Sequence, residues 1–218
     1  MKENRKRFVA SICLLVAFIL WTAIVSLIDV QQIGPQGSSV GLAGINLFVH
    51  NLTGVHFILY HITDWLGLVP ITVCLVFAIL GLAQWIHRKD IRKVDFSLFV
   101  LGGFYIVTMA VYILFEYVVI NYRPVLINGY LEASYPSSTT LLVLCVMPTA
   151  ALQCRQRIGN RILRNAMIIL IAAFMAFMVV GRLLSGVHWL TDIIGGGLLS
   201  AGLVMLYHAF IVDRREIV

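Results

Sequence analysis

Residues 181–197 read Gly181-Arg-Leu-Leu-Ser-Gly-Val-His188-Trp-Leu-Thr-Asp192-Ile-Ile-Gly-Gly-Gly197. Arg182, His188 and Asp192 are three ionisable side chains in an otherwise apolar stretch, where each is costly and reads as functional by default. If a helix starts near His188, His188 and Asp192 share one face, and the carboxylate can hold one imidazole nitrogen as a donor. The other nitrogen is then free to act as nucleophile or base. Arg182 precedes them across a Ser-Gly turn, and its planar fork matches two oxygens of a phosphate. The group reads as a phosphate site. The competing reading is a snorkelling arginine beside a His-Asp pair that caps the next helix.

The surroundings are those of a membrane protein. The 218 residues are 61% hydrophobic and 12% charged, with a mean hydropathy of +0.96. Soluble domains carry about 45–50% apolar and about 25% charged residues. Apolar runs over about 8–28, 66–86, 96–121, 138–153, 162–181 and 189–210 predict an all-α membrane bundle of six spans within a single domain covering 1–218. Leu42, Ile45, Leu47, Phe48 and Leu52 trace one helical face and predict a short interfacial helix after the first span. The first apolar run is too long for a signal-peptide core and lacks a small-residue cleavage site, so it reads as an uncleaved span.

Charge sets the expected orientation. Lys2, Arg5, Lys6 and Arg7 precede span one; Arg88, Lys89, Arg92 and Lys93 follow span two. Arg155, Arg157, Arg161 and Arg164 lie between spans four and five, and Arg214 and Arg215 follow span six. That face is expected to be cytoplasmic and to hold both termini. Only Arg123 and Arg182 are left for the opposite face. The net charge of +6 is therefore topological; the basic residues do not gather with aromatics into a nucleic-acid-binding stripe. Cys13, Cys74, Cys145 and Cys154 show no Cys-x-x-Cys spacing and predict neither disulfides nor a zinc site.

Two further stretches fall on the face of Arg182. Asn121-Tyr122-Arg123-Pro124 follows span three, and Tyr135-Pro136-Ser137-Ser138-Thr139-Thr140 opens span four. The free N–H groups and positive dipole end of a helix starting at Pro136 favour a bound anion.

In this order and on one face of six spans, the three stretches resemble the membrane-bound type 2 phosphatidic acid phosphatase superfamily, whose fold is shared with vanadium haloperoxidases. The family pattern is Lys-x6-Arg-Pro, then Pro-Ser-Gly-His, then Ser-Arg-x5-His-x3-Asp. The third motif is matched at Arg182, His188 and Asp192, with Gly181 in place of the serine. The resemblance implies that His188 attacks phosphorus and carries the phosphoryl group while Asp192 orients it. Arg123, Arg182 and the backbone around Ser137, Ser138 and Thr139 would hold the phosphoryl oxygens. No metal and no cofactor are required. The implied partner is a lipid phosphate or diphosphate in a bacterial cytoplasmic membrane, with the site facing outward.

The departures direct the substrate expectation. The family's first-motif lysine falls on Glu116 and its second-motif histidine, the general acid, on Thr139. General acid catalysis matters most for a strongly basic leaving group and contributes about 10²–10⁴-fold. A departing phosphate, with a pKa of about 6, needs it least, so a polyprenyl or similar lipid diphosphate is the expected substrate. Two carboxyls are candidate replacement proton donors. Glu116, two turns before Arg123, is expected to be ion-paired or buried and protonated; Glu132 otherwise reads as a solvated loop charge. The alternative to an enzyme is a weak or inactive family member that binds or moves phospholipid headgroups. His50, His56, His61 and Asp64 are spaced too irregularly for a metal and are expected to contact lipid headgroups. Gly195, Gly196 and Gly197 are expected to permit close helix packing.

Overall fold

The computed structural model describes residues 2–213, so Arg214 and Arg215 of the expected cytoplasmic cluster lie outside it. Eight α-helices follow in order: α1 (Lys2–Leu27), α2 (Ala43–Thr53), α3 (Phe57–Leu66), α4 (Leu68–Arg88), α5 (Phe96–Tyr117), α6 (Ser138–Arg157), α7 (Arg161–Leu184) and α8 (Leu190–Asp213). Six helical stretches are long and apolar enough to cross a membrane, with α3 and α4 forming one of them over Phe57–Arg88. The chain is an all-helical integral membrane protein.

Most differences from the expected spans lie at the ends. The second is longer than 66–86, because α3 is a full helix separated from α4 only at Gly67, which itself keeps helical angles. The third stops at Tyr117, so residues 118–121 leave the helix and enter the loop that carries Arg123. The fourth, fifth and sixth extend beyond their apolar cores to Arg157, Leu184 and Asp213. Hydropathy fades before a helix does when the last turn is basic or polar.

α6 is the least apolar of the spans and also the most enclosed. It packs against α7 on one side and α8 on the other, and α1 lies along α8. Because its neighbours are protein and not lipid, it can bury polar groups that find partners. Gln153 donates to the Tyr207 hydroxyl at 2.9 Å, and Thr149 lies 3.1 Å from the Tyr105 hydroxyl. Leu141 and Cys145 of α6 join Leu199, Leu203 and Tyr207 of α8 and Phe18 and Val25 of α1 in the main core. Gly195 lets α8 approach Tyr135, whose ring would lie 2.6 Å from an added Cβ, and Gly196 lies against Thr140, whereas a Cβ at Gly197 would meet nothing, so the expected close packing holds for two glycines of the run.

At the end carrying the basic loops, Asp95 accepts from Gln84 at 2.9 Å and pairs with Arg157 at 2.9 Å and Arg88 at 3.0 Å. The Gln84 hydrogen bond first, then the two arginines, hold this carboxyl down at about 2. At the opposite end, α2 lies where the interfacial helix was expected. Phe48 and Leu52 are exposed, and Asn46 pins the helix to the start of α8. Its side chain donates to Thr191 Oγ1 at 3.0 Å and accepts from the Thr191 N–H at 3.2 Å.

Candidate active site

The α5–α6 connection is a small hairpin. Tyr122 bridges Ala133 and Ile127 bridges Tyr130 in antiparallel fashion. Asn128 and Gly129 turn it, with φ of 50° and 84°, the pair of positive angles that a two-residue Asn-Gly turn supplies. The Arg123 N–H donates to Glu132 O at 3.0 Å and the Ser134 N–H to Asn121 O at 2.9 Å. These bonds set Arg123 and Ser134 against the α7–α8 turn. That turn depends on Gly186, at φ 68°, where an added Cβ would sit 1.9 Å from Gly54 O; the adjoining Ser185 carbonyl accepts from the His56 N–H at 3.0 Å.

His188 lies in this turn, ahead of α8 and 3% exposed; Asp192 lies in the first turn of α8 and is fully buried. The expectation that they pair directly on one helix face is corrected. Nδ1 of His188 stands 3.7 Å from Asp192 Oδ2, beyond hydrogen-bond length, because the helix begins two residues after His188. The Ser134 hydroxyl stands between them, 3.0 Å from His188 Nδ1 and 2.5 Å from Asp192 Oδ2. Asp192 also accepts from the Trp189 N–H at 2.8 Å and from Asn121 Nδ2 at 3.4 Å. On the other side of the ring, Nε2 is 3.4 Å from Arg123 Nη1.

Arg123 and Arg182 both line a cleft of about 640 Å³. Arg182, in the last turn of α7 and 1% exposed, donates from Nη2 to Thr139 Oγ1 at 2.5 Å and to Asp64 Oδ1 at 3.1 Å. Its guanidinium carbon lies 5.1 Å from the centre of the Tyr60 ring. Arg123 Nε is 3.1 Å from Glu132 Oε2, close enough for an ion pair but misaligned for a hydrogen bond. Among the described residues neither Arg123 Nε nor Arg182 Nε has a hydrogen-bond partner. Leu68, Ile71, Val119 and Leu142 complete an apolar wall, which suits an amphipathic substrate.

The first turn of α6 enters the cleft through Ser138 and Thr139. The expected contribution of the Ser137 N–H is corrected: it donates to the Asp192 carbonyl at 3.1 Å, and the Ser137 side chain caps the helix by accepting from the Thr140 N–H. The N–H groups of Ser138 and Thr139 remain at the positive end of the helix.

Both candidate proton donors line the cleft, in changed roles. Glu132 is paired with Arg123 and is not a free loop charge. Glu116 is exposed at the end of α5 and makes no ion pair among the described residues, so it is neither buried nor paired as expected. Asp64, expected to meet lipid headgroups, instead holds Arg182. His50 packs on Trp189, and His56 Nε2 lies 2.9 Å from the Thr53 carbonyl. No metal-binding cluster occurs among the described residues.

Burial holds the His188 imidazole well below its ordinary value of 6.5, and the charges of Arg123 and Arg182 push the same way. A base with a depressed pKa takes up its proton only at lower pH, so its lone pair persists as pH falls through 6.5. The acid limb of kcat/KM, which reports the free enzyme, is therefore expected below pH 6.5 after allowance for the substrate phosphate's own ionisation at about 6. A limb at or above pH 6.5 would contradict it.

A family model of the PAP2 superfamily matches residues 99–216, more than half of the chain and all three motif stretches. No curated protein matches significantly. Among solved structures, the fold is similar to that of a transmembrane PAP2-type phosphatidylglycerolphosphate phosphatase from Bacillus subtilis. The TM-score is 0.61 at 16% identity, covering 93% of this chain and 96% of that one. With Arg123, Ser138, Thr139 and Arg182 lining one cleft and His188 beside Arg123 in a six-span bundle, the chain belongs to the PAP2 superfamily of membrane phosphatidic acid phosphatases.

Proposed function

We propose that this membrane lipid phosphatase cleaves lipid diphosphates through a phosphoryl group carried on His188, on the outer face of a bacterial cytoplasmic membrane. The observation that carries the reading is the buried His188 ring, which presents Nε2 toward Arg123 beside a cleft that Arg123 and Arg182 line. The Nε2 lone pair forms the N–P bond while the P–O bond to the leaving group breaks, its electron pair departing with the leaving oxygen. Water then forms a new P–O bond, the N–P pair returns to Nε2, and the proton lost by water passes to the released phosphate or solvent. Arg123, Arg182 and the Ser138 and Thr139 N–H groups stabilise the charge that spreads over the phosphoryl oxygens. The outward orientation rests on the placement of Arg88, Lys89, Arg92, Lys93, Arg155, Arg157, Arg161 and Arg164 at the end remote from the cleft.

The preference for diphosphates rests on position 139. The Thr139 hydroxyl receives an Arg182 N–H and is no acid at neutral pH, so a leaving group of low basicity is favoured. The Bacillus subtilis neighbour is described as acting on phosphatidylglycerolphosphate, a monoester, and that class belongs in the same assay. Purified protein is expected to release phosphate faster from a polyprenyl diphosphate than from phosphatidic acid or phosphatidylglycerolphosphate, and Thr139→His is expected to raise monoester turnover selectively. Faster release from either monoester would overturn the preference. Turnover of no member of the panel would favour a headgroup-binding role.

A further inference from the structure

We propose that Ser134 is a positioning residue that fixes the reactive tautomer of His188 and links it to Asp192; this rests on reading His188 as the nucleophile. The proton inventory leaves one arrangement. A guanidinium only donates hydrogen bonds, so the Arg123 Nη1 contact at 3.4 Å makes His188 Nε2 an acceptor, its lone pair directed to the side from which Arg123 approaches. In the neutral ring the single proton is then on Nδ1. Its neighbour is the Ser134 hydroxyl at 3.0 Å, which must accept from it. That hydroxyl has one proton of its own, and it goes to Asp192 Oδ2 at 2.5 Å. The relay runs from His188 Nδ1–H to Ser134 Oγ–H to the Asp192 carboxylate.

Asp192 Oδ2 does not reach the ring directly, being 3.7 Å from Nδ1 and already held by the Trp189 N–H; the Ser134 backbone also hydrogen-bonds the imidazole, but only the Ser134 hydroxyl touches both His188 and Asp192. Ser134 is 2% exposed and is fixed from behind by its N–H bond to the Asn121 carbonyl. When the N–P bond forms, the ring becomes a phosphoimidazolium. The Nδ1 proton stays in place, and the Asp192 charge reaches the ring through a polarised hydroxyl. Without that hydroxyl the ring loses its link to the Asp192 carboxylate.

The test compares Ser134→Ala, Ser134→Thr and Ser134→Cys with wild type and His188→Ala, in detergent, on a polyprenyl diphosphate. In metal sites, losing the outer-shell partner of a ligating imidazole costs about 10–100-fold, and a fall of that order is expected in kcat for Ser134→Ala with KM nearly unchanged. Ser134→Thr, which keeps the hydroxyl, should recover most of it. The thiol of Ser134→Cys, a weak donor and acceptor, should fall between, and it replaces the alanine variant if that fails to fold. Wild-type kcat in Ser134→Ala, or a folded Ser134→Thr no better than Ser134→Ala, overturns the relay while inactive His188→Ala leaves the nucleophile standing. Turnover by His188→Ala would remove both.

Discussion

His188→Ala is expected to lower phosphate release from lipid substrates by on the order of 10⁴-fold or more, as removal of a covalent nucleophile does when binding groups remain. No cysteine lines the cleft, and its aliphatic hydroxyls, Ser138 and Thr139, stand at the start of α6, where Thr139 accepts from Arg182. The fold should survive the change. The side-chain hydrogen bonds lost with the ring are those to Arg123 and Ser134, and Ser134 keeps its bond to Asp192. The variant should therefore elute and melt like wild type, and the assay reads chemistry. Wild-type turnover by a folded His188→Ala protein would refute the nucleophile assignment.

The second large effect is expected at Arg182. Its charge is buried at the base of the cleft, and Nη2 is divided between Thr139 and Asp64. Removing one preorganised donor to a developing anion costs about 10²–10³-fold in kcat, and Arg182→Ala should fall in that range on a lipid diphosphate. Arg182→Lys should recover only part of it, because a lysine restores the charge but not the two-pronged fork. Asp64 is half exposed and can be rehydrated when its partner is lost, so the defect should be kinetic more than structural. Near-wild-type kcat/KM in Arg182→Ala would place the phosphoryl group elsewhere.

The six spans were legible because long apolar runs and short basic clusters are local features. The third motif was legible because Arg182, His188 and Asp192 lie within one turn of chain and its flanks. What stayed hidden depended on distance in sequence. Asp64 meets Arg182 across 118 positions, and Ser134 meets His188 across 54; no periodicity reports such contacts. The departure of the chain from α5 at Tyr117 was masked by Val118, Val119 and Ile120, which extend the apolar run past the end of the helix. One missed element did carry a local signal. Asn128-Gly129 is the strongest two-residue hairpin pair, and it marks the loop that carries Arg123, Glu132 and Ser134 to the site. Direct pairing of His188 and Asp192 was expected on the assumption of a helix from 188, and its start at Leu190 opened the gap that Ser134 fills.

The covalent intermediate tests the central claim most directly. Rapid acid-free quenching of the enzyme with a lipid diphosphate carrying a labelled terminal phosphate, followed by peptide mass analysis, is expected to find an acid-labile phosphoryl group on the peptide containing His188. The amount should rise and decay at rates compatible with turnover. Steady phosphate release with no label on that peptide, or with the label on another side chain, would contradict the account.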